Sequence, residues 1–125
     1  MLPLTTVKVS NKQKKEMAEE ALIRVGLENK MKRLPNQLSG GEQERVAIAR
    51  AIVNSPPLIL ADEPTGSLDT KTGNEIMELF QKLNEEGLTI LMVTHNPDNL
   101  RYMGRTIYMK DGKILEDNWK SIEKF

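Results

Sequence analysis

The chain has 125 residues, with acidic and basic residues balanced at 18 each and no cysteine. That length supports one domain with a modest core. The neutral balance argues against strong attraction to nucleic acid, and the missing cysteines exclude disulfides and thiolate metal sites. Apolar residues at 38% and charged residues at 29% exclude a disordered tail. No apolar run approaches the ~20 residues of a membrane-spanning helix. The opening "MLPLTTVKVS" lacks the basic head and long apolar core of a secretory signal. Any membrane role is therefore expected to come through a partner.

In chain order, the β-branched stretch Thr5 to Val9 reads as a short strand or extended lead-in. Ser10 and Gln13 form a capping-box pattern that opens a helix. Met17, Ala18, Ala21, Leu22 and Val25 share one face of it, and Gly26 stops it. Lys12, Lys14 and Lys15 alternate with acids on the other side. These and Lys30, Lys32 and Arg33 beyond it read either as a contact patch or, as interspersed acids and helical spacing favour, as a solvated face. A short helical turn is expected over Asn29 to Arg33, broken at Pro35 and Asn36.

Ser39 and Glu42 make a second capping box, which predicts a helix from Gly40 to about Asn54 that is apolar on most sides and ends at Ser55-Pro56-Pro57. Leu58 to Ala61 is a continuous apolar run, the pattern of a strand buried on both faces. Asp69 is expected to cap the next helix, whose apolar face is Ile76, Leu79, Phe80 and Leu83 and whose end is Gly87. Leu88 to Val93 reads as a second buried strand, and Asn96-Pro97 as the start of a short helix. Arg105 to Lys110 and Lys113 to Glu116 flank Asp111-Gly112, a hairpin signal, and Asp117 to Phe125 is expected as a short helix or frayed end. Helices alternating with buried strands predict an α/β fold in which the two runs pair in parallel. Ligands of such sheets sit beyond the carboxyl ends of the strands, where Asp62, Glu63 and His95 all lie.

The chemistry of these residues follows from their places. The first amides of a helix lack internal partners and carry partial positive charge. Gly40 and Gly41 remove side-chain bulk there, so a phosphate can approach, and the Ser39 hydroxyl can donate to the same anion. The plainer alternative stays open: Ser39 and Glu42 close a cap, and the glycines make a turn. Asp62 and Glu63 leave the strand in different directions. Asp62 suits Mg²⁺ through a coordinated water. Glu63, expected in extended backbone because Pro64 follows it, suits orienting or deprotonating a water. His95 can contact a phosphate or the attacking water, or merely cap the helix after it. The segment Gly66 to Thr72 approaches the phosphate loop G-x-x-x-x-G-K-[ST] but lacks its second glycine, and that pattern occurs nowhere in the 125 residues.

Four stretches in order, "LSGGE" (Leu38 to Glu42), "LILADEP" (Leu58 to Pro64), "SLD" (Ser67 to Asp69) and "VTH" (Val93 to His95), make the chain resemble the ATP-binding cassette (ABC) ATPases. The likeness covers Leu34 to about Glu116, and "LPNQLSGG" with "ADEPTGSLD" is most similar to the lipoprotein-releasing and macrolide-export subgroup. The resemblance implies a partial P-loop NTPase-type parallel sheet with a helical subdomain and a carboxyl-terminal β-hairpin. It places part of the helical subdomain and the signature helix in residues 1–54, and the carboxyl-terminal part of the ATPase core in residues 55–125.

It also implies roles for individual residues. Ser39, Gly40, Gly41 and Glu42 form the signature, which reaches ATP held by the second subunit of a dimer. Glu42 stands where the family most often has glutamine. Asp62 is the Mg²⁺ residue of Walker B, Glu63 the catalytic base, and His95 the switch histidine. Asp69 belongs to the loop linking the subunits, and Ser10 to Arg33 to the part that meets an integral membrane permease. The implied place is cytoplasmic, at the inner face of the cell membrane through that permease.

The Walker A loop and its strand, which the family places earlier, have no counterpart in the chain. In family folds that strand lies between the one matching Leu88–Val93 and the one matching Arg105–Lys110. Without it, an unpaired edge and a detached hairpin are expected. Three functions compete at this point. One is an ABC transporter ATPase subunit. Another is a non-catalytic half that binds or regulates a complete partner. The third is a cassette of the DNA-repair or ribosome-acting kind, disfavoured by neutral charge and the lack of long heptad arms.

Overall fold

A computed structural model describes residues 10–28 and 38–119. The expected strand at Thr5 to Val9, the turn at Asn29 to Arg33 and the basic group around Lys30 lie outside those residues. The elements are α1 (Asn11–Arg24), α2 (Gly40–Ile52), β1 (Leu58–Asp62), α3 (Thr70–Glu85), β2 (Thr89–Val93), a 3₁₀ helix (Pro97–Tyr102), β3 (Arg105–Lys110) and β4 (Lys113–Trp119). Helices and a parallel pair alternate, and an antiparallel hairpin follows, so the fold is α/β as expected.

Local chemistry explains where the helices begin. Ser10 and Ser39 each accept a hydrogen bond from the third helical amide, that of Gln13 and Glu42, while the Oε1 atoms of those side chains accept one from the serine amide. Both capping boxes are therefore closed. Gly26, at φ 82°, takes the left-handed turn after α1, where a side chain would be strained. Asp69 precedes α3 in extended backbone, but its carboxylate makes no capping hydrogen bond, unlike the expected cap. It leans on Thr72 instead. The Thr72 hydroxyl, first among several neighbours, holds the carboxyl below the usual carboxylate range.

One buried cluster joins α1, α2, β1 and α3, from Ala21 and Val25 through Ile48, Ile52 and Ile59 to Ile76, Phe80 and Leu83. α3 supplies the largest share: Ile76, Met77 and Leu83 are at most 1% exposed. Arg24 spans from α1 to Glu86 at 3.1 Å, and Arg45 of α2 donates to the Val25 carbonyl at 2.6 Å, so polar contacts lash the helices at the cluster's rim.

β1 and β2 pair in parallel, Leu58 opposite Thr89 through Asp62 opposite Val93. The expectation of strands buried on both faces fails. Ile59 and Ala61 face the helices, while Leu60 is 67% exposed and Leu91 55%. Among the described residues, helices cover only one side of this two-stranded sheet, and alternate apolar residues are left exposed. The hairpin forms its own two-stranded sheet, apart from the parallel pair. That matches the separation implied by the resemblance, and among the described residues β2 pairs only with β1.

The hairpin turns at Asp111 and Gly112, both at positive φ (52° and 76°), the conformation a tight two-residue connection requires. Asp117 to Trp119 continue β4 rather than forming a helix or frayed end, because Arg105 opposite them clamps Asp117 through two hydrogen bonds of 2.9 and 2.6 Å. Arg105 also lies 4.5 Å over the Trp119 ring. Hydrogen bonds from Arg105 hold the Asp117 carboxyl below its ordinary value. A lowered folded value means the contribution is present above the unfolded carboxylate range, about 3.9, and is lost as pH falls through the folded value. Acidifying below about pH 4 is thus expected to loosen the stack and change the fluorescence of Trp119, the sole tryptophan. Arg105→Gln should remove that acid response.

Candidate functional site

The carboxyl ends of β1 and β2 sit side by side, and the chain leaves both through polar residues. Glu63 follows β1 directly. Its amide still bonds the Val93 carbonyl at 2.8 Å, while its carbonyl accepts from the Gly66 amide at 3.1 Å. The residue thus ends a ladder and starts a turn at once. Its φ of 46° is left-handed, not the extended conformation expected before proline. The two backbone bonds outweigh the local bias, at a strain on the order of 1–3 kcal/mol. The consequence is directional: the Glu63 side chain swings across to the exit of β2.

There Glu63 Oε1 accepts from the His95 amide at 2.5 Å and lies 3.8 Å from His95 Nε2. Its Oε2 lies 3.5 Å from the Thr94 hydroxyl. The imidazole is 92% exposed, whereas the Glu63 side chain is one-third exposed. An open cleft of about 450 Å³ is bordered by Glu63, Thr65, Gly66, Leu68, His95 and Asn96. A carboxylate anchored by a backbone amide beside a solvent-facing imidazole can hold a water and a phosphate oxygen together.

Asp62, last in β1, is exposed. Among the described residues no three His, Cys, Asp or Glu side chains converge as a metal cage. Mg²⁺ needs no such cage, because it keeps several waters and takes one or two carboxylates plus phosphate oxygens. Asp62 is an exposed carboxylate at the strand end, of the type such an ion takes.

The predicted signature residues lie on another flank of the same loop. Ser39 and Gly40 are exposed at the tip of α2, and Gly41 is buried. A Cβ on Gly40 would come 3.2 Å from Leu68 Cδ2, and one on Gly41 only 2.5 Å from Thr72 Cγ2. Gly41 is therefore small to admit α3, while Gly40 keeps the tip bare. Ser39 Oγ accepts from the Glu42 amide, yet its proton stays available to an anion. None of Ser39 to Glu42 borders the Glu63–His95 cleft. The structure unites Glu63 with His95 and leaves the α2 tip facing outward beyond Leu68.

Gly41→Ala is expected to destabilise the fold by about 1–3 kcal/mol through overpacking on Thr72. Thr72→Ser removes the obstructing methyl, so the double variant should recover most of the loss in urea unfolding.

Three site neighbours escaped the sequence reading: Thr65, Thr94 and Asn99, which bond one another behind the Glu63 carboxylate. The available signal was the cluster of short polar residues in "THNPDN" after β2. Asn96 caps the 3₁₀ helix through the Asp98 amide, as its pairing with Pro97 predicts.

Parallel strands that end in acids and a histidine beside an open crevice define an α/β protein of the kind whose ligands sit at the strand ends. The chain belongs to the ABC transporter family, whose model matches residues 1–66. The uncharacterized ABC transporter ATP-binding protein YvrO of Bacillus subtilis is 49% identical over 93% of this chain and 51% of its own length. A macrolide export ATP-binding/permease protein, MacB of Chlorobium phaeobacteroides, is 55% identical over 86% of this chain and 17% of its own. Among solved structures, the dimeric ABC transporter cassette MJ0796 aligns with a TM-score of 0.73 at 49% identity, over 90% of this chain and 50% of that one. Another structure of MJ0796 is described as a post-hydrolysis state bound to ADP and Pi; it is 47% identical over the same shares, also with a TM-score of 0.73. The chain thus spans about half the length of the cassette relatives it matches.

Proposed function

We infer that this chain is the carboxyl-terminal portion of the ATP-hydrolysing subunit of an ABC transporter, powering export or lipoprotein release through a membrane permease. The observation that carries this reading is the Glu63–His95 contact, which brings two motifs 32 residues apart together at the strand ends. Glu63 serves as the base that orients and deprotonates water. His95, exposed beside it, contacts the γ-phosphate. Asp62 holds Mg²⁺, which neutralises phosphate charge when bound. Ser39, Gly40 and Gly41, with Glu42 closing their cap, present the bare α2 tip to ATP held by a second cassette, and the outward direction of that tip supports use between subunits. Asp69, exposed at the start of α3, belongs to the subunit-linking loop. The dimeric and ADP-bound forms of MJ0796 and the ATP-binding/permease make-up of MacB support a nucleotide, a second subunit and a membrane partner. Residues 1–54 carry part of the helical subdomain, whose Ser10 to Arg33 stretch meets the permease, with the signature motif and the helix after it, and residues 55–125 carry the carboxyl-terminal part of the core; Ser55, at φ 51°, turns the chain between them. The place implied is the cytoplasmic side of a membrane, with no nucleic acid among the partners.

A second reading rests on the exposed α2 tip at Ser39 and Gly40: a non-catalytic half that presents this tip to a complete cassette and regulates it. Purified alone, the chain is expected to release no phosphate from ATP above background. Steady turnover by the isolated chain would overturn that expectation. Mixed with a complete cassette, it should change that cassette's turnover. A change lost with Glu63→Gln supports the catalytic reading. A change indifferent to Glu63→Gln but lost with Ser39→Ala supports the regulatory one. No binding and no change counts against both.

A further inference from the structure

Asn99 is the one buried polar residue of the described core, 3% exposed, and it sits behind the site rather than in it. Its Nδ2 donates to Thr65 Oγ1 at 3.2 Å and to Thr94 Oγ1 at 3.1 Å. Thr65 belongs to the loop leaving β1, two residues past Glu63. Thr94 belongs to the segment leaving β2, next to His95. One amide group therefore bridges the two exits.

The valence of Thr94 Oγ1 gives that bridge a direction. A hydroxyl oxygen has two lone pairs and one proton. The Asn99 amide and the Asn96 amide, the latter at 3.1 Å, fill both lone pairs. The proton that remains is the one donated toward Glu63 Oε2, 3.5 Å away. Were Asn99 flipped, its carbonyl would compete for that proton and Glu63 would lose a donor. The two Asn99 donors thus set the polarity of the network as well as its geometry.

We propose that Asn99 is a positioning residue for the Glu63–His95 pair, holding the β1 and β2 exits together and turning the Thr94 proton toward the Glu63 carboxylate. It touches neither nucleotide nor water; it acts through Thr94 and Thr65. Its importance for turnover rests on the reading of Glu63 as the base, but its action on Glu63 does not.

The test uses the full chain, ¹⁵N-labelled and without nucleotide, so a wrong function does not disturb it. The His95 amide proton donates to a carboxylate, which moves its resonance downfield and slows its exchange. In Asn99→Leu, that resonance is expected to move upfield and to exchange about tenfold faster. Thr94→Val should do the same, and Thr94→Ser, which keeps the hydroxyl, should restore the native signal. The double variant Asn99→Leu/Thr94→Val should add little to either single change, because both cut one path. The slowest amides of α3 are expected to hold their rates, which separates this effect from general loosening. Should Asn99→Leu fail to fold, Asn99→Asp keeps the shape, removes the donors and should give the same upfield shift. A His95 amide unmoved by Asn99 and Thr94 variants that leave α3 intact would overturn the proposal. So would a change shared equally by His95 and the α3 core.

Discussion

Glu63→Gln is expected to lower ATP turnover by about 10²–10⁴-fold in an assembly where this chain is joined by a polypeptide supplying the other half of the cassette. The substitution is informative because of what it preserves. Glutamine keeps an Oε1 that can accept from the His95 amide, the 2.5 Å bond that anchors the native side chain. The left-handed turn at residue 63, the ladder bond to Val93 and the turn bond from Gly66 involve only backbone. Geometry should therefore survive while basicity and charge are lost. Phosphate release under single-turnover conditions reads the chemical step directly, and nucleotide affinity measured beside it should change far less. If turnover were unchanged, Glu63 would be a structural cap on the β2 exit and not a base. His95→Ala is a useful companion. It removes the imidazole yet leaves the residue-95 amide, so the Glu63 anchor persists and any loss belongs to the ring.

How far the residues alone disclosed this arrangement depends on the range of the forces involved. Ser10 with Gln13 and Ser39 with Glu42 were readable because a capping box closes within three positions. The Asp111-Gly112 turn was readable for the same reason. Ile76, Leu79, Phe80 and Leu83 repeat at helical spacing, and α3 buries them all. The parallel pairing followed from two apolar runs separated by a helix. Misreadings arose where a distant contact decided the outcome. Leu58 and Leu60 are apolar, but burial depends on what lies alongside, and helices cover only the Ile59 and Ala61 face. Pro64 favours an extended Glu63, but bonds to Val93 and Gly66 impose a left-handed one. Trp119 lies in a strand because Arg105, fourteen positions earlier, gathers Asp117 and the indole. The amide of Asn99 reaches Thr65 across 34 positions, a link no periodicity encodes. Proximity of Glu63 and His95, by contrast, was implied by their shared place at strand ends, because parallel pairing carries both to one rim.

Phe80→Ala is expected to cost about 3–5 kcal/mol, among the largest losses for a single side chain in this fold. Phe80 is 4% exposed, in the same buried cluster as α1, α2 and β1. Removing the ring deletes transfer energy and leaves a cavity that rigid helical neighbours fill only in part. A domain of this size commonly holds on the order of 5–15 kcal/mol in total. Here one sheet face is bare and the hairpin is a separate sheet, so little spare stability is available to absorb the loss. Urea unfolding should show a large fall in midpoint, or no cooperative transition at all. Leu60→Ala supplies the contrast from the bare face: at 67% exposure its side chain forfeits little on truncation, and the midpoint should hardly move. Similar losses at residues 60 and 80 would mean that the β1–β2 face is covered in solution and that stability does not centre on α3. A deep loss at 80 with near-silence at 60 would identify α3 as the support on which the strand ends, and with them Glu63 and His95, keep their register.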